Sequence, residues 1–117
     1  STGGYLSAIW TIENIAGDSS DSCELVLKAG ALDPLILLVM HTSDIRIKRA
    51  GMQALSFFCR QSSEPNLVKD AIVSLAEVIK NKDYGPEMII EAIRVLSHLS
   101  SDFSLSICNL LQMEANL

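Results

Sequence analysis

The chain has 117 residues, of which 49% are hydrophobic, 20% charged and only 5% aromatic. This aliphatic composition favours packed helices over an aromatic-rich β-sandwich, and it excludes a disordered tail. Nine basic residues against fourteen acidic ones give a net charge of −5, which argues against nucleic acid as a partner and permits a basic one. Plain solubility is the alternative explanation of the charge. No apolar run reaches the ~18 residues of a membrane span, so no membrane association is expected.

Apolar residues recur three and four positions apart along the chain, and short polar segments separate the apolar stretches. This periodicity predicts helices and no strands. Asp21, followed three residues later by Glu24, predicts a capping box, and Gly30 fits the left-handed end of a short helix. Pro86 fits the first position of a helix, where its missing N–H is tolerated. We predict seven helices, over residues 5–16, 22–29, 32–41, 44–60, 65–80, 86–100 and 103–115.

Three of these helices share one sequence pattern, over residues 8–16, 51–59 and 92–100. Each segment begins with a small residue, which permits close helix packing. The aligned positions are Trp10, Gln53 and Arg94, which are 43 and 41 residues apart, and one turn later Asn14, Phe57 and His98. A period of about 42 residues with three helices lies in the armadillo range of roughly 40–47.

The pattern therefore predicts an all-α fold, an armadillo-repeat solenoid that winds as a right-handed superhelix. The chain forms one armadillo segment over residues 1–117. It contains about two complete repeats and two partial ones, with boundaries at 1–17, 18–60, 61–101 and 102–117.

Four blocks of the sequence resemble the importin-α (karyopherin-α) family. Residues 10–19 read WTIENIAGDS and resemble the family's W-x-x-x-N motif followed by I-A-G-D-S. Residues 26–35 resemble the family's A-G turn and the A-[IL]-x-P-L helix that follows this turn. Residues 54–60 and 95–100 resemble its A-L-S blocks. The order and spacing of the blocks match over nearly the whole chain, which corresponds to the middle of such an array.

The resemblance implies a nuclear import adaptor whose third helices line a concave groove for basic nuclear localisation signals. In this family Asn hydrogen-bonds the peptide backbone, and Trp rings hold lysine and arginine side chains. Residues four apart share one helical face, an indole attracts a cation, and an amide both donates and accepts hydrogen bonds. The resemblance thus assigns peptide binding to Trp10 and Asn14. Weaker candidates are Asp18, Gln53, Phe57, Arg94 and His98.

The same resemblance implies a basic peptide or protein cargo, contact with importin-β through regions outside this segment, and residence in the cytoplasm and nucleus. The sequence departs from the family where Gln53 and Arg94 replace Trp, because each replacement removes a cation-stacking face. The alternative is therefore an armadillo scaffold with a changed peptide clientele or a purely structural role. Trp10 as an interhelix packing residue, Asn14 as a local cap and Asp18 with Ser19 as a helix cap are the corresponding structural alternatives.

No catalytic constellation, cofactor motif or metal-ligand spacing is present, so we expect neither an enzyme nor a metal or cofactor site. The cysteines Cys23, Cys59 and Cys108 form no C-x-x-C pair and predict reduced thiols. Glu87 and Glu91 are interpreted as part of a solvated helix face.

Both ends of the chain are predicted to expose apolar stacking surface and to favour self-association, because a solenoid needs polar caps at its ends. The residues that carry this prediction are Leu6, Ile9 and Ile12 at the beginning and Leu105, Ile107, Leu110 and Leu111 at the end.

Overall fold

The computed structural model describes residues 1–62, 65–81, 83–97 and 109, and every regular element in this part of the chain is an α-helix. The helices are α1 (Thr2–Ala16), α2 (Ser20–Lys28), α3 (Leu32–His41), α4 (Ile45–Gln61), α5 (Pro65–Lys80) and α6 (Pro86–Ser97). The prediction of an all-helical chain is confirmed, and these six helices match the first six predicted ones to within three residues at each end. Of the predicted seventh helix, 103–115, only Asn109 is among the described residues, and it is helical.

The helix ends are set by short polar side chains. The Ser1 hydroxyl accepts a hydrogen bond from the backbone N–H of Gly4, so α1 begins at Thr2, three residues before its predicted start. The capping box predicted at Asp21 and Glu24 is wrong. Ser19 is the N-cap of α2, since its backbone is extended and its hydroxyl accepts from the N–H of Ser22 at 3.0 Å.

Two other local predictions are confirmed. Gly30 has a φ of +88°, the left-handed conformation that an L side chain rarely adopts, and it comes directly after Ala29, the C-cap of α2. Pro86 is the first residue of α6. The turn at Gly30 therefore joins α2 to α3, and the next polar connection, at 42–44, joins α3 to α4.

The helices are arranged in two layers. Helices α1, α4 and α6, which share the repeated sequence pattern, form an inner row in which α4 packs against both of the others. Helices α2, α3 and α5 form an outer layer, where α3 packs on α4, α5 packs on α6, and α3 and α5 contact each other. The same helix-on-helix contact thus recurs after one repeat, as in an armadillo-repeat all-α solenoid. The repeat boundaries stay a prediction.

The core between the layers is mainly aliphatic. Its largest fully buried side chains are Phe58, Met52, Leu55, Ile72, Leu75 and Val39. At the centre of α4 the small residue Gly51 permits a close approach to α3, because a Cβ added there would collide with Cγ2 of Val39. Ala92, at the aligned position of α6, is fully buried, whereas Ala8 of α1 is exposed. Helix α1 packs on α2 and α4.

The prediction that Leu6, Ile9 and Ile12 form an exposed apolar end is wrong. Ile9 is buried, and Leu6 and Ile12 are partly buried and pack against the same core. These three residues lie on the face of α1 that contacts its neighbours, because positions three apart share one side of a helix. The exposed large apolar side chains in this region are Tyr5, Trp10 and Ile15 of α1 and Leu25 of α2. The residues predicted for the other end, Leu105, Ile107, Leu110 and Leu111, lie outside the described part of the chain.

Candidate functional site

Helix α1 presents Trp10 and Asn14 to solvent on one face. The Trp10 side chain is 55% exposed and Asn14 is exposed, and their spacing of four places them one turn apart. Trp10 is therefore not a core packing residue. The Asn14 side chain makes no hydrogen bond within the described residues, so its amide is available to a ligand and does not cap a helix. Trp10 and Asn14 are thus exposed on one face of α1, and their role in peptide binding stays a prediction.

The aligned residues of α4 lie in different environments. Gln53 is exposed, whereas Phe57 is partly buried. The Phe57 ring meets that of Phe58 edge-on at 5.7 Å between centroids, and a Cβ added to Gly17 would lie 3.6 Å from its Cζ. Phe57 thus packs between α4 and the C-terminal end of α1. Its packing role explains why an aromatic residue stands where α1 has an amide.

The remaining candidates lie in three different settings. Arg94 of α6 is exposed, and its Nη1 donates to Oε2 of Glu91 at 3.1 Å. Asp18 is exposed beyond the end of α1, and its backbone N–H donates to the carbonyl of Ile15 at 3.3 Å. Ser19, and not Asp18, caps α2. His98 lies outside the described residues.

Helix α4 carries a stripe of arginines beside Gln53. Arg46, Arg49, Gln53 and Arg60 are all exposed, and their spacings of three, four and seven keep them on one side of the helix. We call these four residues the arginine stripe. With Arg94 of α6, the stripe contains every arginine of the chain. A chain with a net charge of −5 therefore concentrates guanidinium groups on its inner row.

Two of these arginines are held by acidic partners. Arg49 Nη2 donates to Oε2 of Glu87 at 2.6 Å, which joins α4 to α6, and Arg46 Nη2 lies 3.4 Å from Oδ2 of Asp44. All four side chains of these pairs are at least partly exposed, so each pair contributes little stability and mainly sets side-chain position. Arg60 makes no ion pair within the described residues. The prediction of Glu87 and Glu91 as a merely solvated face misses their pairing with arginines.

A pocket of about 180 Å³ lies between α4 and α6. Its apolar lining comes from Met52 and Met88, both buried, and from the exposed Ile45. Its polar lining consists of Arg49, Gln53, Glu87 and Glu91. Sequence reasoning missed this pocket, since its two walls are about one repeat apart and no local pattern joins them.

The N-terminal ends of the inner-row helices are fixed by a second set of contacts. Thr2 Oγ1 donates to Oδ2 of Asp44 at 2.9 Å, which links α1 to the N-cap of α4. The N–H of Arg46, and then the Thr2 hydroxyl, hold the pKa of the Asp44 carboxyl below its ordinary value. Lys48 Nζ lies 5.6 Å from the centre of the Tyr84 ring, just before α6 begins. These contacts place the faces of neighbouring helices side by side.

No other chemistry is apparent in the described part of the chain. Burial raises the pKa of the Cys59 thiol to about 12 and also raises that of Cys23, so neither is a ready nucleophile or metal ligand. Residues 1–62, 65–81 and 83–97 contain no group of three metal-ligating side chains. No helix among them is long and apolar enough to cross a membrane.

Together, the two-layer packing and the recurring inner-row contact define an armadillo-type helical segment. Importin subunit alpha-1b of Oryza sativa subsp. japonica is 36% identical over 95 residues, and importin subunit alpha-2 of Arabidopsis thaliana is 35% identical over 95 residues. Importin subunit alpha-5 of Arabidopsis thaliana is 34% identical over the same number of residues. These similarities, at 34–36% identity over 80% of the chain, support an importin-α-like armadillo segment.

Each match covers 80% of this chain but only 17–18% of the relative, so the chain spans about one sixth of the length of these proteins. No protein-family model matches the chain. No solved structure matches it either.

Proposed function

We propose that this segment belongs to a nuclear import adaptor and holds part of an extended basic peptide along the inner row. The observation that carries the proposal is the exposure of Trp10 together with Asn14 on one face of α1. The indole attracts the cationic end of a lysine or arginine, and the amide pairs with the peptide backbone on the same side. We call the exposed face of α1, α4 and α6 that would hold the peptide the groove.

The next position along the groove has a different character. Gln53 offers an amide but no ring, and the arginines of the arginine stripe precede and follow it along α4. A lysine placed beside Arg60, which has no acidic partner among the described residues, would be repelled, and the repulsion would weaken as salt screens it. We therefore expect one strong contact with a basic residue, at Trp10, and no second one at Gln53.

The binding of protein cargo, contact with importin-β through regions outside this segment, and residence in the cytoplasm and nucleus are part of the same proposal. They rest on the family resemblance, and the similarity to proteins named as importin α subunits supports them. We propose no enzymatic activity for the segment.

The second candidate is an armadillo scaffold whose groove takes other peptides or serves only structure. Two observations favour it: Phe57 is used for packing, and the guanidinium groups on α4 oppose a lysine-rich ligand. Under this alternative, Trp10 would contribute nothing to the affinity for a basic peptide.

Titration of a fluorescently labelled lysine- and arginine-rich peptide separates the two candidates. Trp10→Ala should weaken binding by roughly fivefold, since a cation–π contact contributes on the order of 1 kcal/mol. Tyr5→Ala is the matched control, because Tyr5 is also an exposed aromatic residue of α1 but lies on another side of the helix. Equal affinity of wild type and Trp10→Ala would place the binding site elsewhere.

A further inference from the structure

We propose that the pocket between α4 and α6 accepts one apolar side chain, of leucine or phenylalanine size, from a peptide that lies in the groove. This inference rests on the proposed function and extends it. The segment would then select a basic residue at Trp10 and an apolar residue at the next position, where Gln53 stands. The clientele would be peptides of mixed composition and not uninterrupted basic runs.

The size of the pocket fits such a side chain. Its volume is about 180 Å³. A protein cavity of roughly 150 Å³ is large enough to admit a benzene ring. One phenyl ring or one branched aliphatic side chain therefore has room between the two helices, whereas a bound water molecule would leave most of the space unfilled.

The buried part of the lining is apolar. Met52 is 2% exposed and Met88 is 7% exposed, so the thioether side chains are the innermost groups that border the pocket. Methionine is flexible and polarisable, and it adapts to ligands of different shape, aromatic rings included. Ile45, at the first turn of α4, adds a third apolar wall.

The charged residues around the pocket neutralise each other. Glu87 is bonded to Arg49 at 2.6 Å and Glu91 to Arg94 at 3.1 Å. A lysine ammonium that entered the pocket would meet no uncompensated carboxylate and would lose water, which is unfavourable for an ion. An apolar side chain would leave both ion pairs intact.

Gln53 gives the pocket a fixed relation to the peptide backbone. Its amide is exposed at the edge of the pocket and both donates and accepts hydrogen bonds. A peptide whose backbone pairs with this amide would direct a neighbouring side chain towards Met52 and Met88. Gln53 is thus the residue that determines specificity at this position, and a larger residue there would close the pocket.

Methyl NMR on the whole chain tests the pocket without a peptide. Methionine methyl groups are labelled with ¹³C, and N-acetyl-leucinamide, N-acetyl-phenylalaninamide and N-acetyl-lysinamide are titrated separately. The leucine and phenylalanine amides should shift the methyl signals of Met52 and Met88 saturably, and the lysine amide should not. Met40 of α3 does not line the pocket, so its signal should stay unchanged.

Two variants connect the signal to the pocket. Gln53→Trp should fill the space and abolish the shifts, whereas Gln61→Trp, the same change at an exposed site later in α4, should preserve them. Two groove peptides are then compared, which differ only in carrying leucine or lysine at one position. Wild type should bind the leucine peptide roughly tenfold more tightly than the lysine peptide, and Gln53→Trp should bind the two with equal affinity.

Absent shifts at Met52 and Met88, or equal shifts with the lysine amide, would overturn the inference. If the Met52 and Met88 signals shift with protein concentration before any probe is added, the pocket is occupied by a second copy of the chain. That result would also overturn the inference. The proposed function fails separately, through the affinity of Trp10→Ala for a basic peptide, so the two failures are distinguishable.

Discussion

The contact between Gly51 and Val39 determines how closely α3 and α4 approach. Whether Gly51→Ala lowers or raises the free energy of unfolding should therefore depend on the residue at position 39. A Cβ added at Gly51 collides with Cγ2 of Val39, a stiff β-branched side chain that is 1% exposed. Overpacking of this kind costs about 1–3 kcal/mol, while Gly→Ala within a helix contributes about 1 kcal/mol of helix propensity. Gly51→Ala should therefore lower the free energy of unfolding by about 1 kcal/mol.

The same substitution should stabilise a chain that already carries Val39→Ala. Removal of the two methyl groups of Val39 costs about 1.6 kcal/mol by itself, at roughly 0.8 kcal/mol per buried carbon, but it frees the space that the new Cβ needs. In that background only the helix propensity remains, so Gly51→Ala should raise the free energy of unfolding by up to about 1 kcal/mol.

Urea denaturation of the four chains of this double-mutant cycle, followed by far-ultraviolet circular dichroism, measures the coupling. We expect it to be near 2 kcal/mol, within the range of about 0.5–3 kcal/mol seen for residues in contact. Gly3→Ala is the control, because a Cβ added at Gly3 of α1 has no neighbour within 4 Å. An effect of Gly51→Ala that is equal in both backgrounds would refute the proposed close approach.

Three further predictions concern the core packing, the N-cap of α2 and the buried thiol of Cys59. Phe58→Ala should lower the free energy of unfolding by about 3–5 kcal/mol, since the ring is fully buried, and urea denaturation checks this. Ser19→Ala should lower the free energy of unfolding by about 1 kcal/mol, and Asp21→Ala should lower it by less, as measured by thermal unfolding. A larger loss in Asp21→Ala would contradict Ser19 as the N-cap and favour the capping box of Asp21 and Glu24. Burial raises the pKa of Cys59 from an ordinary 9.0 to about 12, so the folded thiol stays protonated where the unfolded one ionises. Stability should consequently be unaffected by this thiol below pH 9 and should fall as the pH rises from 9 towards 12, while Cys59→Ala should lack this slope.

The sequence was sufficient to predict the helices because their apolar periodicity continues through each element without interruption. It also identified Gly30 and Pro86, where the backbone requires a particular residue. Capping was harder to predict, because Asp21 and Ser19 are both good caps and the extended backbone that selects Ser19 is a property of the folded turn.

The site could be predicted only where it depends on one helix. The shared face of Trp10 and Asn14 follows from a spacing of four. The role of Phe57 does not, because its contact near Gly17 joins two helices, and alignment alone makes it equivalent to Asn14. The pocket likewise requires α4 and α6 to pack in a particular register, which periodicity leaves open.

The inward orientation of Ile9 illustrates the same limit. The sequence shows that α1 has an apolar stripe, but it does not show which side of the helix meets α4. The structure turns Ile9 inward and leaves Tyr5 and Ile15 exposed. Self-association through the exposed apolar residues of α1 and α2 therefore stays a prediction, now carried by these residues and Leu25.

An extended basic peptide should lie along the inner row. Paramagnetic relaxation from a peptide that carries a nitroxide spin label tests this most directly, with backbone amide signals of the whole chain as the readout. We predict that the signals of Asn14, Gln53 and Arg94 will be broadened, while those of Leu25 and Leu37 in the outer layer will be unaffected. Broadening confined to α2, α3 and α5, or none at peptide saturation, would contradict the account.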